Sequence, residues 1–505
     1  MIIKEGENMI EEKTNKMGFN FENTYKNLPK SFYSEINLNP VKKPEIVIFN
    51  KSLSNLLELN SDELESEEGL EILAGNKKVE NGEYIAQAYG GHQFGYFNML
   101  GDGRALLIGE QKTSKEIDIT GKTSNKFDIQ LKGSGRTPYS RSGDGRAVLG
   151  PMLREYIISE AMHNLKIPTT RSLAVVKTNE KVYREYVKEG AILTRIATSH
   201  LRFGTFEYAS HFLSDENVKK LADYAIDRHY PHIKNNKNKY LSLLEEVVKA
   251  HSTLVAKWMS VGFIHGVMNT DNMTISGETI DYGPCAFINE YDPNTVFSSI
   301  DTQGRYSYKN QPTMASWNIC RFAETLLPLI DKNEDMAINL AQEVINKFSN
   351  LYFEKWFSIM KCKLGIFNEE DDDINILENL LNMMEKYKED YTNTFVSLTY
   401  RKNMDRGMFL TAEFTSWHKN WQDRLSRQEK SIEESYELMK KSNPVIIPRN
   451  HKVEEALEYA DKGDLTVMKK LLSALNNPYE YRDELKEYQQ VPEKSDLPYR
   501  TYCGT

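Results

Sequence analysis

Hydrophobic and polar residues alternate along the first part of this 505-residue chain in the manner of β-strands. The stretch from Phe127 to Gly133, FDIQLKG, predicts a strand that carries Lys132. SLAVVK, VYREYV and AILTRIA predict three further short strands. The glycine- and aromatic-rich segment from Tyr84 to Gly109, followed by the polar EQKTSKEIDITGKTSNK, predicts a hairpin with a long exposed loop.

Apolar residues at helical spacing predict the helices. GPMLREYIISEAMHNLKIP carries such a stripe and places Glu155 on another side of the helix near its start; the stripe is Leu153, Ile157, Ala161 and Leu165. A second stripe predicts a helix from Lys239 to Val261, ending at Gly262, a residue suited to a helix C-terminus. Beyond about residue 330 the pattern is mostly helical.

These elements predict an α+β protein with a sheet-containing N-terminal lobe and a mostly helical C-terminal lobe with a helical extension. The division that we predict is a mobile tail over 1–20, an N-terminal lobe with nucleotide phosphate-binding elements over 21–205, a catalytic region over 206–330, a helical extension over 331–475 and a C-terminal tail over 476–505.

Composition narrows the class of protein. With 40% hydrophobic and 27% charged residues, the chain has the balance of a soluble globular protein. It contains no uninterrupted apolar run long enough to span a membrane, and its acidic, polar start is unlike a signal peptide. The four cysteines have neither disulfide-framework nor zinc-ligand spacing. We therefore expect a cytoplasmic protein without membrane partners.

The net charge and the local charge of the chain indicate different partners. The net charge of -9 argues against a nucleic-acid binder. The stretch 131–205 nevertheless holds thirteen Lys and Arg against six Asp and Glu. Such a stretch either binds small polyanions or is a solvated basic face, and both interpretations remain open.

Candidate catalytic and metal-binding residues are densest in HGVMNTDNMTISGETIDYG, residues 265–283. Its polar residues include His265, Asn269, Asp271, Asn272 and Asp281. Because Mg²⁺ takes few protein oxygens and completes its shell with water and phosphate, the crowding indicates a metal-phosphate site. His265 has no second histidine at ligand spacing, so we interpret it as a structural residue bonded to backbone.

The order of the parts is that of a kinase-like fold. A strand carries Lys132, a helix carries Glu155, and Asn272 and Asp281 follow in a later segment. A lysine can bridge phosphates while a glutamate holds its ammonium in place, and an amide with a carboxylate can hold a metal ion. The alternatives are a surface ion pair of little consequence and a capped turn.

One position departs from kinase chemistry. Many kinases of this architecture carry an aspartate two residues after the histidine, whereas this chain has Val267 after His265 and Gly266. An aliphatic side chain cannot accept a proton, and the nearest carboxylate in the segment is Asp271. Either the protein is an inactive kinase or its acceptor approaches from another direction.

The longer motifs resemble those of the selenoprotein O family, also called the YdiU family. The resemblance extends over nearly the whole chain and is carried by AQAYGGHQFG, LGDGRA, IQLKGSGRTPYSRSGDGRAVLGPMLREYIISEAM, TRIATSHLRFGTFE, GFIHGVMNTDNM, IDYGP, NPVIIPRNHKVEEAL and YCGT. It implies a protein-kinase-like fold that binds ATP in an inverted orientation. It also implies transfer of AMP, or UMP, to Ser, Thr or Tyr hydroxyls of proteins, this protein itself included.

The resemblance also implies roles for single residues. Lys132 would contact phosphate and pair with Glu155, Asp271 would accept the proton, and Asn272 with Asp281 would hold Mg²⁺ or Mn²⁺. The remaining nucleotide-site residues that it implies are Gly101, Gly103, Arg104, Asp144, Gly145, Arg195 and Arg202.

Several alternatives stay open at the level of sequence. A conventional ATP-dependent phosphotransferase and a catalytically inactive nucleotide-binding scaffold compete with the nucleotidyltransferase. Arg136, Arg141 and Arg146 either contact phosphate or lie in a solvated loop, and the two Gly-Asp-Gly tripeptides suit tight turns as well as a nucleotide site. Cys503, near the C-terminus, is either a redox residue or an inert thiol.

Overall fold

The computed structural model describes residues 16–492 and 499–501, and its N-terminal part is built on an antiparallel sheet. The strands are β1 (Tyr33–Glu35), β2 (Glu45–Phe49), β3 (Ile85–Gln87), β4 (Gly90–Gln93), β5 (Tyr96–Met99), β6 (Ala105–Asp118), β7 (Thr123–Lys132), β8 (Ala147–Val148), β9 (Arg171–Tyr183), β10 (Val187–Ala197), β11 (Phe263–Ile264) and β12 (Ala286–Phe287).

Eight of these strands form the main sheet, in the order β1-β3-β6-β7-β10-β9-β2, with β8 paired to β10. β7 and β10 lie in its middle, and their register sets Arg195 opposite Gln130 and Leu193 opposite Lys132. Because side chains two residues apart share one face of a strand, Gln130 and Lys132 point to the same side of the sheet. The β4–β5 hairpin forms a separate two-stranded sheet, and β11 pairs with β12 in another.

Helices make up most of the described chain after the sheet. They are α1 (Lys51–Leu56), α2 (Ser61–Leu64), α3 (Glu67–Leu73), α4 (Leu149–Asn164), α5 (Phe203–Phe212), α6 (Asp215–His229), α7 (Lys239–Ser260), α8 (Gln311–Ile330), α9 (Glu334–Lys363), α10 (Asp373–Tyr387), α11 (Tyr391–Tyr400), α12 (Ala412–Ser426), α13 (Ile432–Ser442), α14 (Asn450–Asp461) and α15 (Thr466–Leu475).

The sheet has apolar side chains packed on both faces. Ile129 and Leu131 of β7 belong to a cluster with Leu53 and Leu57 from α1 and its C-terminal end. The opposite face meets α4, and that cluster continues through the C-terminal helices. Gln130 and Lys132 therefore point from the sheet towards α4, into a region whose apolar surroundings make unpaired charge costly.

The structure confirms the predicted α+β kinase-like fold class and the elements that carry the predicted site. The strand before Gly133, the helix around Glu155 and the helix from Lys239 are present as β7, α4 and α7. Pro151 lies in the first turn of α4, where its missing N–H costs no helical hydrogen bond.

Two predicted details are wrong. The polar stretch after Gly109 is not a long loop, because β6 runs to Asp118 and β7 begins at Thr123. VYREYV is not a separate strand, since it spans the turn between β9, which ends at Tyr183, and β10. In the β6–β7 and β9–β10 hairpins the strand ends extend beyond the core into solvent. Hydrophobic alternation therefore fades there while hydrogen-bonded pairing continues.

The predicted division of the chain stays a prediction. Met17 and Phe19 are buried, whereas residues 1–15 and Cys503 lie outside the described residues. Within residues 16–492 and 499–501, no helix combines the length and apolar character that crossing a bilayer requires.

Candidate active site

A buried cluster of charges lies between β7, β10, α4 and the segment that contains Asp281. Lys132 Nζ lies 2.6 Å from Glu155 Oε2 and 2.6 Å from Asp281 Oδ1. The side chains of Lys132 and Glu155 are 9% and 3% exposed, which excludes a solvent-screened surface pair. The lysine is thus held by two carboxylates from distant parts of the chain.

Two arginines complete the cluster. Arg195 Nη1 donates to Asp281 Oδ1 at 2.7 Å and to Glu155 Oε1 at 3.2 Å. Arg202 Nη1 donates to Asp281 Oδ2 at 3.0 Å, and its guanidinium lies 4.6 Å from the centre of the Tyr89 ring. Three cations therefore converge on one carboxylate.

Asp281 is ionised in this setting. Burial would raise the pKa of its carboxyl, but the charges of Lys132, Arg195 and Arg202 hold that pKa well below its usual range. About a quarter of its side chain (26%) is exposed, so this carboxylate is the most accessible member of the cluster. Its backbone adopts a left-handed φ of 63°, an uncommon conformation for aspartate that strained functional sites often show.

Asp271 lies beside the cluster in the short 3₁₀ helix Thr270–Asn272. Arg202 Nη1 donates to its backbone carbonyl at 2.7 Å. Burial raises the pKa of the Asp271 carboxyl to about 7, against the opposing charge of Arg202. Its Oδ1 is buried and accepts no hydrogen bond from the residues that the structure describes. Such a carboxyl has the protonation behaviour of a general base near neutral pH.

The residues predicted to hold a metal ion suit a magnesium-type ion. Asn272 Nδ2 donates to the Val267 carbonyl at 3.0 Å, so the amide oxygen is the atom left to bind a cation. Asp281 supplies carboxylate oxygens. No group of three or more His, Cys, Asp or Glu with metal-binding geometry occurs in the described part of the chain. An amide oxygen and a carboxylate are hard oxygen donors of the kind that Mg²⁺ or Mn²⁺ takes together with phosphate and water.

The first GDGRA motif borders the charge cluster. Gly133 N, after Lys132, donates to the Arg104 carbonyl at 2.6 Å. Gly101 has a φ of 122°, and an added Cβ would lie 2.4 Å from Tyr139, so a larger residue does not fit there. A Cβ added at Gly103 would lie 2.9 Å from the backbone carbonyl oxygen of the same tyrosine.

The second GDGRA motif occupies the loop after β7 and joins the β9–β10 turn. Asp144 accepts two hydrogen bonds of 2.9 Å from Arg184, which lowers the pKa of the Asp144 carboxyl. The Gly145 carbonyl accepts from Gly135 N at 3.0 Å. Arg146 donates to the backbone of Ser134. Arg146 also donates to the Asn39 carbonyl at 3.1 Å, so this motif contacts its own loop, the β9–β10 turn and the segment before β2.

The structure brings together six of the predicted residues: Lys132, Glu155, Arg195, Arg202, Asp271 and Asp281. Asn272 is next to Asp271 in the chain. The roles assigned to all of these residues remain predictions.

Sequence reasoning missed a chain of hydrogen bonds behind Arg195. Arg195 Nη2 donates to Gln130 Oε1 at 2.6 Å, and Gln130 Nε2 donates to Asp102 Oδ2 at 3.2 Å. Burial raises the pKa of Asp102 to about 6, although Arg202 opposes the shift. The sequence could single out both residues, because Gln130 precedes Lys132 by one strand period and Asp102 is the aspartate of the first GDGRA, but it does not indicate their hydrogen bonds.

His265 is a structural residue, as predicted. Its Nε2 donates to the Ile280 carbonyl at 3.0 Å, and Val267 N donates to Nδ1 at 3.4 Å. Burial lowers its pKa, so the ring stays neutral and links the two ends of the segment.

Comparison with known proteins identifies relatives of this chain. Residues 15–476 match the family model described as "Protein adenylyltransferase SelO". A protein nucleotidyltransferase YdiU of Bacillus cytotoxicus is 58% identical over 501 residues, covering 98% of this chain and 100% of that protein. A protein nucleotidyltransferase YdiU of Brevibacillus brevis is 57% identical over 491 residues, covering 97% of this chain and 98% of its own length.

Proposed function

This chain belongs to the SelO family of protein adenylyltransferases, and on that premise we propose how its residues transfer a nucleotide to protein hydroxyls. The protein is a protein nucleotidyltransferase, so it uses a nucleoside triphosphate and acts on proteins. We propose ATP as the donor, Ser, Thr or Tyr as the acceptor residue, this protein itself among the acceptors, and the cytoplasm as the compartment.

The observation that carries the mechanism is the convergence of Lys132, Arg195 and Arg202 on Asp281. Buried cations need anionic partners, and three of them share this carboxylate and Glu155. A triphosphate brings more negative charge than Asp281 does. Its β- and γ-phosphates would take over the two arginines and the lysine, for which planar guanidinium groups are well suited.

Phosphate binding would also free Asp281. Once the cations pair with phosphate, the Asp281 carboxylate and the Asn272 amide oxygen would hold Mg²⁺ or Mn²⁺ against the triphosphate. The ion would supply positive charge that neutralises the phosphate oxygens. Glu155 stays paired with Lys132 and keeps its ammonium in position.

The transfer step follows from this placement. The acceptor hydroxyl loses its proton to Asp271, and its oxygen forms a bond to the α-phosphorus. The bond from that phosphorus to the oxygen bridging to the β-phosphorus breaks, and pyrophosphate leaves with the electron pair. In this arrangement Lys132, Arg195 and Arg202 would stabilise the negative charge that develops on the leaving group, which is usually the largest catalytic contribution.

The position of the label in ATP, on the α- or on the γ-phosphate, tests this function. Protein acceptors should become labelled from ATP carrying the label on the α-phosphate and not from γ-labelled ATP, with an AMP-sized mass increase on a hydroxyl residue. Asp271→Ala should remove the signal while ATP still binds, since a positioned base contributes about 10²- to 10⁴-fold in rate. Label from the γ position alone would establish a phosphotransferase, and ATP binding without label from either position would favour a scaffold.

Parallel reactions with UTP and with each metal ion determine the preferred donor and ion.

A further inference from the structure

Glu207 is a buried carboxylate that joins three elements around Asp271. It lies on α5, the helix that begins directly after Arg202, and is 1% exposed. The Thr270 hydroxyl donates to its Oε2, and His92 Nδ1 contacts its Oε1. Thr270 immediately precedes Asp271, and His92 belongs to β4. One side chain therefore ties α5, the β4–β5 hairpin and the 3₁₀ helix of Asp271 to each other.

Backbone hydrogen bonds hold the hairpin to the same segment. His92 N donates to Thr270 Oγ1 at 2.7 Å, and Phe94 N donates to Asn269 Oδ1 at 3.2 Å. The Thr270 hydroxyl thus accepts from the hairpin while it donates to Glu207. Tyr306 OH also donates to Asn269 Oδ1, at 2.7 Å, and fixes the start of the segment from the other side.

The hairpin lies directly on the Asp271 carboxylate. A Cβ added at Gly91 would be 2.8 Å from Asp271 Oδ1, so only glycine permits this approach. That oxygen is the buried one without a hydrogen-bond partner among the described residues. The close approach of the hairpin therefore limits where this oxygen can lie.

We propose that Glu207 is a positioning residue for nucleotidyl transfer, which holds the β4–β5 hairpin and the Asp271 segment in the arrangement that receives the acceptor hydroxyl. The proposal rests on the proposed function, because it takes Asp271 as the group that the hydroxyl meets. Within the described part of the chain, the Glu207 carboxylate bonds His92 and Thr270, and not Lys132, Arg195 or Arg202. Its replacement should therefore slow the transfer step and leave nucleotide binding intact.

Four variants test the proposal in the full-length protein. Glu207→Gln keeps the size of the side chain but cannot accept from both His92 and Thr270. Thr270→Val removes the bridging hydroxyl, whereas Thr270→Ser retains it. Glu216→Gln removes a carboxylate that is 64% exposed on α6 and serves as the matched control.

Steady-state transfer of α-labelled nucleotide is the first measurement. We expect Glu207→Gln and Thr270→Val to lower kcat about 10- to 100-fold, the cost of small misplacements at a reacting centre, with KM for ATP within about twofold. Thr270→Ser should recover most of kcat, and Glu216→Gln should equal the unaltered protein. A kcat for Glu207→Gln within twofold of the unaltered protein would overturn the proposal, as would an equal loss in Thr270→Ser and Thr270→Val.

Hydrogen–deuterium exchange is the second measurement and does not depend on activity. Glu207→Gln should raise exchange in both residues 90–99 and residues 269–272 while the remaining helices keep their protection. Unchanged exchange in these two segments would overturn the proposal even if activity fell. If the unaltered protein transferred no α-label, the proposed function would fail, and exchange alone would decide whether Glu207 holds the two segments together.

Discussion

Asp281 shares its two carboxylate oxygens among three cations, and this arrangement explains why one residue has two opposed roles. In the protein without nucleotide it compensates buried positive charge, and with nucleotide we propose that it serves the metal ion. Both roles require an ionised carboxylate, which the neighbouring cations secure by lowering its pKa.

Asp281→Asn is expected to abolish nucleotidyl transfer and to destabilise the protein. Removing one partner of a buried pair leaves uncompensated charge, which costs about 3–5 kcal/mol for a fully buried pair. Because about a quarter of this side chain is exposed, we expect roughly 1–3 kcal/mol.

The measurement is thermal and denaturant unfolding beside the α-label assay. Asp227→Asn is the control, since that aspartate is 55% exposed and pairs with Lys234 at 2.8 Å on the surface. Equal stability of the two variants would show that the charge cluster does not depend on Asp281.

At the residue scale the sequence predicted the members of the cluster better than their bonds. Lys132, Glu155 and Asp281 were placed by the order of motifs. No pattern could indicate that Arg195 and Arg202 would also reach Asp281, or that Gln130 would hold Arg195, because those contacts join residues far apart in the chain. The contact between Gln130 and Arg195 depends on the β7–β10 register, which is fixed only in the folded sheet.

At the scale of elements, a buried histidine fixes α7 to the segment between Asp271 and Asp281. His251 Nε2 donates to the Thr274 carbonyl at 2.8 Å, and its ring lies 5.0 Å from that of Phe203. Burial lowers the pKa of His251 from 6.5 to about 4. The folded protein therefore favours the neutral ring.

The sign of the resulting pH dependence follows from linkage. Between pH 6.5 and about 4 the unfolded chain binds a proton at His251 that the folded protein does not, so acidification favours unfolding. The stabilisation is complete above pH 6.5 and is lost as the pH falls to about 4, and it amounts to roughly 3 kcal/mol.

His251→Gln, which retains a donor for Thr274, should lose less stability than the unaltered protein between pH 7 and pH 4.5. Urea unfolding at a series of pH values measures the difference, and His232→Gln, at a 62% exposed side chain, should leave the pH dependence as it was. Parallel stability curves for His251→Gln and the unaltered protein would exclude this histidine as the source.

Elements were predicted well where they are buried and poorly where they are not. α4 and α7 have apolar stripes that face the core, and both were found close to their predicted bounds. The ends of β6, β7, β9 and β10 lie in solvent, so their polar sequences resemble loops although backbone pairing continues. Hydrogen bonds between main chains have no sequence signature of their own.

At the scale of the whole molecule, α4 joins the sheet to the C-terminal helices. Its Glu155 faces the charge cluster, and the adjacent Arg154 donates to Glu454 of α14 at 2.7 Å and to the Cys285 carbonyl at 2.8 Å. The core cluster on this side also runs from α4 into the C-terminal helices without a break. The order of elements along the chain did not predict the contact between α4 and α14, since Arg154 and Glu454 are separated by about 300 residues.

Arg154→Leu should destabilise the molecule by roughly 1–3 kcal/mol, since it removes the hydrogen bonds that Arg154 donates to Glu454 and to the Cys285 carbonyl. We expect one unfolding transition in calorimetry, shifted to lower temperature, because the sheet and the C-terminal helices share a core. Lys188→Leu, which removes an exposed pair with Asp461, is the control. Two separated transitions in the Arg154 variant would show that the two parts unfold independently.

The shared carboxylate of Asp281 has a kinetic consequence for turnover. After transfer, pyrophosphate would remain paired with Lys132, Arg195 and Arg202, and a product so held leaves slowly. Asp281 is an internal anion already adjacent to all three cations, so we propose that, once the metal ion has left, it competes with pyrophosphate for them and speeds its departure. We expect Asp281→Asn to bind pyrophosphate more tightly in metal-free calorimetry, whereas equal or weaker binding would show that Asp281 does not act as a displacing anion.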